Sequence, residues 1–387
     1  MPDFVSPCLF GLEGPLANEL RRLNLSNVAA DNGRVSFSGD IADIARTNIS
    51  LRCGERVLLQ LGSFEACSFE ELFQHVKALP WEEYISKNCA FPVKGHSLNS
   101  MLHSVPDCQK IIKKAVAERL GGIYGVNWLA EDGPTVQIQF SIMKDRVSMC
   151  LDTSGAGLHK RGYRPAGGTA PLRETLAAAM VTLSRYRGRE TFRDLFCGSG
   201  TIPIEAALIA KNRAPGLGRS FAAQDWPGID KRIWQDARDE AVSREFNGCY
   251  DIKGFDIDEG AVRLSSENAK RAGVDDIISF SQGDAAQFSE SCGRGIIISN
   301  PPYGERLFEK NQAALLYKDL GKALAALESW DIYLLSPHTE FEHSFGRPAD
   351  KKRKLYNGMI QCNLFMYSGR ADKHETSVHN KPKGRQH

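Results

Sequence analysis

The stretch Thr191-Phe192-Arg193-Asp194-Leu195-Phe196-Cys197-Gly198-Ser199-Gly200-Thr201 passes from an apolar strand-like run into a Gly-rich turn. Ile202 to Lys211 then continues as a helix-like segment. Working outward, Leu172 to Tyr186 is strongly helical before it. After it, strand 250–257 precedes helix 259–272, and a short strand near 277–281 precedes strand 295–299. Helix Gln312 to Leu327 leads to strand 331–336, and Lys354 to Tyr356 with Met359 to Tyr367 predict a terminal pair. This alternation predicts an α/β fold with a Rossmann-like, doubly wound, mainly parallel sheet and an antiparallel terminal strand.

The preceding residues follow a different grammar. A strand at Cys8 to Phe10, a helix bearing Leu16, Leu20 and Leu23, strand Val35 to Phe37, a helical piece at Ile41 to Thr47 and strand Arg56 to Leu61 predict a small α+β unit. Helix Phe69 to Leu79, strand Cys89 to Lys94 and helix Cys108 to Leu120 predict a second such unit. It closes with a hairpin of Val136 to Phe140 and Val147 to Leu151, turning at Lys144-Asp145. Thr153 to Pro171, with five glycines and several cations, reads as a connector. No internal repeat is evident.

At 387 residues, several domains are expected, and 42% hydrophobic residues suffice for real cores. A net charge of +2 means that any nucleic-acid surface depends on local clustering of cations. The ten cysteines form no CxxC pair and no signal-like N-terminus is present, so buried thiols and a cytoplasmic address are expected. No apolar run approaches the roughly 18 residues of a membrane span, and no membrane partner is expected.

In doubly wound sheets, ligands sit at the carboxyl ends of the strands near the topological switch. Gly198 and Gly200 let the backbone turn tightly there. No Lys-Ser/Thr follows the loop, which excludes a P-loop, and the third glycine of a dinucleotide fingerprint is missing. Three acids stand at successive strand ends. Asp256 is suited to the two hydroxyls of a ribose, Asp284 to an adenine amino group, and Asp194 to the cationic end of an amino acid moiety. Together they fit S-adenosyl-L-methionine, although any one Asp alone is more often a solvated or capping residue. Cys197 lines this cradle as a small packing residue with no base to activate it. His338 and His343 have no ligand partners at useful spacing, so no metal is expected.

The second apolar run, Gly295 to Ser299, breaks into Asn300-Pro301-Pro302-Tyr303. An exocyclic base nitrogen is a poor nucleophile until its lone pair leaves conjugation with the ring. The Asn300 carboxamide oxygen and the Pro301 carbonyl are suited to accept its two N–H bonds and to stabilise developing positive charge. Pro302 stiffens the corner, and Tyr303 offers a face for stacking. A base within a duplex would have to be flipped out to reach it.

Asp194–Thr201, Asp256, Asp284 and Asn300–Tyr303 together resemble the class I S-adenosylmethionine-dependent amino-methyltransferases. Gly157-Leu158-His159-Lys160-Arg161-Gly162-Tyr163-Arg164, Glu174 to Ala179, Arg213 to Leu217 and Asn300 to Leu307 look like the THUMP-domain guanine-N2 methyltransferases of 23S ribosomal RNA. The resemblance implies a ferredoxin-like unit at 1–62, a THUMP RNA-binding domain at 63–155, a connector at 156–171, a methyltransferase domain at 172–368 and a basic disordered tail at 369–387. It further implies that Thr169 and the following helix start close over the cofactor, with Gly198, Ser199 and Gly200 against its methionine and ribose parts. Some relatives carry a second methyltransferase domain; a second activity is not expected here.

For RNA contact the candidates are Lys160, Arg161, Arg164 and Arg306. Lys110, Lys113, Lys114 and Arg119 on one helix form a second cluster, and Lys351-Lys352-Arg353-Lys354 a third. The expected partner is RNA, 23S ribosomal RNA or a large-subunit precursor. The competing readings are an adenine-N6 methyltransferase of DNA or RNA, which shares the corner motif, and a non-catalytic RNA-binding ribosome-assembly factor.

Overall fold

The computed structural model describes residues 1–164, 172–291, 293–303 and 307–369, for 307–310 the backbone alone. The chain begins with β1 (Asp3–Pro7), α1 (Glu13–Arg22), β2 (Ser26–Asp31), β3 (Arg34–Ser38), α2 (Asp43–Ser50) and β4 (Leu58–Glu65). Then come α3 (Phe69–Ala78), β5 (Val93–Leu98), α4 (Val105–Tyr124), β6 (Ile138–Met143) and β7 (Arg146–Asp152). The next elements are α5 (Glu174–Leu183), β8 (Thr191–Asp194), α6 (Thr201–Ala210), α7 (Arg232–Ser243), β9 (Ile252–Asp256) and α8 (Glu259–Ala272). The last are β10 (Ile278–Gln282), β11 (Gly295–Ser299), α9 (Leu307–Leu324), β12 (Trp330–Ser336), α10 (Phe341–Phe345), β13 (Lys351–Asn357) and β14 (Ile360–Tyr367).

The chain divides into two compact units. One holds Met1–Leu9, Leu16–Lys160 and Ala214–Ser243, and the other Phe10–Pro15, Arg161–Arg213 and the chain from Arg244 onward. No helix among the described residues is long and apolar enough to cross a membrane.

The first unit is built on a seven-stranded sheet in the order β2-β3-β1-β4-β7-β6-β5. Here β5 and β6 run parallel and the other pairs antiparallel. The β6–β7 hairpin turns at Lys144 and Asp145, whose φ values of 51° and 63° give the turn the hand that matches strand twist. Ser68 and Glu71 close a capping box at the start of α3. Three strands differ from expectation. β1 lies earlier than Cys8 to Phe10, and Cys8 stands outside it in an isolated bridge to Gly54. β5 starts at Val93, because Cys89 and Phe91 are spent as buried anchors ahead of it. β2 has no apolar alternation to announce it, being a polar and mostly exposed edge strand.

The segment Ala214–Ser243, inside the boundaries expected for the catalytic domain, belongs to this first unit. The Gly216 amide donates to the Ile49 carbonyl at 2.9 Å, and a Cβ at Gly216 would stand 2.7 Å from Ile49 Cα, so only glycine allows this approach. Trp226 Nε1 donates to the Thr135 carbonyl at 3.1 Å. The Arg219 guanidinium donates to the carbonyls of Ala156, Gly157 and Lys160 at 2.6, 2.8 and 3.0 Å.

The second unit carries the sheet β10-β9-β8-β11-β12-β14-β13. Strands β10 to β12 are parallel, β14 runs antiparallel to β12, and β13 closes the edge antiparallel to β14. This is the doubly wound sheet that the alternation predicted, with a terminal hairpin. β11, Gly-Ile-Ile-Ile-Ser, is buried along its whole length, as a central parallel strand must be. Each of its isoleucines contributes roughly 1.5–3 kcal/mol by burial. α5 and α6 are apolar around most of their circumference and buried accordingly. Strand order runs outward from β8 in one direction and from β11 in the other. The crevice between their carboxyl ends is therefore the topological switch.

Candidate active site

Two loops leave the sheet at that switch: Leu195 to Gly200 after β8, and the Asn300 corner after β11. The Leu195 amide donates to Ser299 Oγ at 2.9 Å, so one buried hydroxyl ties the two loop origins together. Gly198 and Gly200 have φ of 51° and 80°, the left-handed region that glycine alone enters without cost. Their surroundings differ. A Cβ on Gly200 would lie 2.9 Å from Ser265 Cβ, whereas one on Gly198 would meet open space. Gly200 is therefore glycine for packing, and Gly198 faces the cradle.

The loop is held from behind. Asn268 Nδ2 on α8 donates to the Ser199 carbonyl at 2.9 Å, and Asp256 Oδ2 accepts the Gly198 amide at 2.8 Å. Asp256 Oδ1 accepts the Asp258 amide at 3.1 Å, so this acid orders two backbone turns while lining the crevice. Asp284 accepts the Ala286 amide at 2.9 Å and the Gln287 side chain at 3.2 Å. It caps a short turn and also lines the crevice.

Asp194 is the most perturbed acid. It is 1% exposed; Oδ1 accepts the Phe196 amide at 3.1 Å, and Oδ2 has no hydrogen-bond partner among the described residues. Burial pushes its carboxyl up to about 7, against the opposing pull of the Phe196 amide and the Ser299 hydroxyl. Burial likewise raises the Cys197 thiol, which suits packing rather than nucleophilic attack.

A cavity of about 510 Å³ joins these groups. Asp194, Cys197, Gly198, Ser199, Asp256 and Asp284 share its wall with Asn300 and Pro302, and Leu172, Ile202, Ile257, Ala285 and Leu316 supply apolar surface. At the corner, Tyr303 donates its hydroxyl to Asn300 Oδ1 and lies beside Cys362 and Asn357, with burial raising its phenol. The Tyr303 hydroxyl thus stands between Asn300 and the terminal hairpin, and one lone pair of the carboxamide oxygen remains for another donor. The Pro302 carbonyl accepts from Tyr317 Oη of α9 at 2.9 Å, and Pro301 is buried. Thr169 and Arg306 lie outside the described residues, as does the chain beyond Gly369.

The connector cations require a correction. Arg161, expected on RNA, is 5% exposed and paired with the fully buried Glu205 of α6 at 3.4 Å. Arg164 donates to Glu174 Oε1 at 2.9 Å, to the Leu172 carbonyl at 3.2 Å and to Thr201 Oγ1 at 3.4 Å. Both brace the start of α5 and α6 from inside, because the acids of those helices hold them there. Lys160 is exposed. The helical cluster is also spent: on α4, Lys113 pairs with Glu131 and Arg119 with Glu82, each at 2.6 Å, which is a salt-bridged face. Asn268, Ser299 and Tyr317 were not anticipated. Only Ser299, a polar end to an apolar run beside Asn300, gave a signal.

A Gly-rich loop and acid-tipped strands facing an Asn-Pro-Pro-Tyr corner across one crevice define a Rossmann-like methyltransferase. The chain belongs to the RMKL-like methyltransferase family, whose domain is matched over residues 161–365. This places it among THUMP-bearing, S-adenosylmethionine-dependent RNA methyltransferases, with an RlmL ferredoxin-like domain at 3–58 and a THUMP domain at 66–152. It is 44% identical to YpsC of Bacillus subtilis (strain 168), named as an RNA methyltransferase, over 92% of this chain and 93% of that protein. It is 33% identical to the ribosomal RNA large subunit methyltransferase K/L of Cellvibrio japonicus (strain Ueda107), over 96% of this chain and 51% of that one. The chain thus spans about half the length of that relative. Among solved structures, SMU.472 in complex with SAH (S-adenosylhomocysteine) is 40% identical, with a TM-score of 0.90 over 95% of this chain and 98% of that one. A predicted N6-adenine-specific DNA methylase of Listeria monocytogenes str. 4b F2365 is 43% identical, with a TM-score of 0.91 over 95% of this chain and 96% of that one.

Proposed function

We propose that this chain methylates the exocyclic N2 amine of a guanine in 23S ribosomal RNA or its large-subunit precursor, in the cytoplasm. One observation carries the reading: the acids Asp194, Asp256 and Asp284 line a single cavity with Asn300 and Pro302. The residues fit S-adenosylmethionine. Asp194 Oδ2 is a buried acceptor with no hydrogen-bond partner among the described residues, suited to an ammonium group, and Gly198 leaves open space where a side chain would intrude. Asp256 is suited to ribose hydroxyls and Asp284 to an adenine amine. The cofactor supplies a methyl group already activated on a sulfonium. The chain's part is to hold the nucleophile: Asn300 Oδ1 and the Pro301 carbonyl accept the amine N–H bonds, Pro302 fixes their geometry, and Tyr303 offers a ring face for stacking on the flipped base. Guanine is preferred over adenine on the resemblance of the connector and THUMP half, since the corner motif serves both amines.

Methyl transfer to ribosomal RNA from a strain lacking the protein, followed by nucleoside analysis, tests this. N2-methylguanosine is expected, and N6-methyladenosine would move the assignment to the competing amine. Failure to bind S-adenosylhomocysteine in calorimetry would instead favour an RNA-binding assembly factor.

Asp194 makes cofactor affinity pH-dependent. With its carboxyl pushed up to about 7, the free protein carries a proton there at lower pH, and a cationic partner requires that proton to leave. Affinity should therefore fall about tenfold per pH unit below about 7 and level off above it. Calorimetry in buffers of different ionisation enthalpy should show proton release at pH 6, and Asp194→Asn should flatten the profile.

A further inference from the structure

The β13–β14 hairpin presents an unusual mixture at the edge of the second sheet. Met359 at its tip is 98% exposed, and the neighbouring Ile360 is also exposed. Tyr356 meets Phe10 edge-to-face with ring centroids 6.0 Å apart, and Phe10 is itself 57% exposed. Lys354 Nζ stands 5.4 Å from the Tyr356 ring centroid. Arg353 Nη2 donates to the Gly11 carbonyl at 2.6 Å, which anchors the Phe10 loop against this strand. Lys352 pairs with Glu342 at 2.7 Å, whereas Lys351 and Lys354 have no carboxylate partner among the described residues. Packing explains Leu355, which is fully buried, but not the exposed Phe10 ring, the half-buried Tyr356 ring and the exposed Lys351 and Lys354 next to it.

The same hairpin touches the catalytic corner. Tyr303, whose hydroxyl donates to Asn300 Oδ1, lies beside Asn357 and Cys362, at the end of β13 and the start of β14. A base presented to Asn300 therefore has neighbours that emerge next to this ridge.

We propose that Phe10, Lys354, Tyr356 and Met359 form a platform for the single-stranded RNA that flanks the base presented to Asn300. This rests on the methyltransferase reading above. Solvent-accessible aromatic surface interleaved with cations is what unpaired nucleotides require, and the exposed Phe10 and half-buried Tyr356 supply it: bases stack on the rings and phosphates meet the ammonium groups. Run together in Lys351 to Lys354, the cations favour a polyanion over an apolar protein surface.

The test uses the full chain and a short fluorescein-labelled single-stranded RNA of mixed sequence. Fluorescence anisotropy should show binding weakened about tenfold in Tyr356→Ala, the scale of one lost base–aromatic stack. Tyr356→Phe should retain wild-type affinity. Lys354→Gln should lower the slope of log affinity against log salt by about 0.7. Met359→Asp, at a tip where no packing is lost, should weaken binding in the same direction. Affinity for S-adenosylhomocysteine should stay at the wild-type value in all four, which reports an intact second unit. Should wild type methylate RNA while Tyr356→Ala and Met359→Asp bind and methylate it equally well, the platform is wrong and the activity stands. Should wild type transfer no methyl group to RNA, the activity reading fails, and unchanged anisotropy in the same variants then overturns the platform as well.

Discussion

Asn300→Ala should lower turnover by ~10²–10³-fold while leaving affinity for S-adenosylhomocysteine close to the wild-type value. The magnitude is that of removing one preorganised hydrogen-bonding group aimed at charge that develops in the transition state. The separation of the two readouts follows from geometry. Asn300 stands after β11, whereas the groups suited to the cofactor stand at or just beyond the ends of β8, β9 and β10. Asp256→Ala should show the opposite split. It removes the acceptor of the Gly198 amide as well as a group suited to ribose, so cofactor affinity falls first. Steady-state kinetics with varied cofactor, together with calorimetry, separates the two patterns. Full activity in Asn300→Ala would remove the corner from the mechanism.

Arg161→Ala should cost about 3–5 kcal/mol of stability, because it strands the Glu205 carboxylate in the interior without its closest cation. Urea unfolding followed by circular dichroism measures this directly. RNA affinity per folded molecule should not change, since a side chain that is 2% exposed has no surface to offer a phosphate. A variant of normal stability with weakened RNA binding would restore the connector to the RNA surface.

The catalytic half was legible in the sequence because its parts are local. An apolar run followed by Gly198 and Gly200 announces a strand, a turn and a helix within a dozen positions, and β11 was placed residue for residue. The acids were legible for the same reason: Asp194 and Asp256 end their strands, and Asp284 follows the end of the next by two residues. What escaped was non-local. Nothing near Tyr317 in sequence says that its hydroxyl will reach the Pro302 carbonyl from α9, and nothing near Asn268 points to Ser199. Charge misled for a related reason. His159 to Arg164 looks like a basic patch along the chain, but Glu205 and Glu174 sit on helices further on and draw Arg161 and Arg164 inward. β2 was missed because an exposed edge strand has no buried side to impose a period of two.

The placement of Ala214–Ser243 bears on how the polypeptide is made. Synthesis proceeds from the N-terminus, and domains tend to acquire their structure as they leave the exit tunnel. Here the leading half emerges with the Ile49 and Thr135 carbonyls lacking the donors that Gly216 and Trp226 bring later. Its completion waits until Ala214–Ser243, beyond β8 and α6, has been translated. A fragment cut at Lys160 is accordingly an unfinished body, with bare patches where the returning loop would lie.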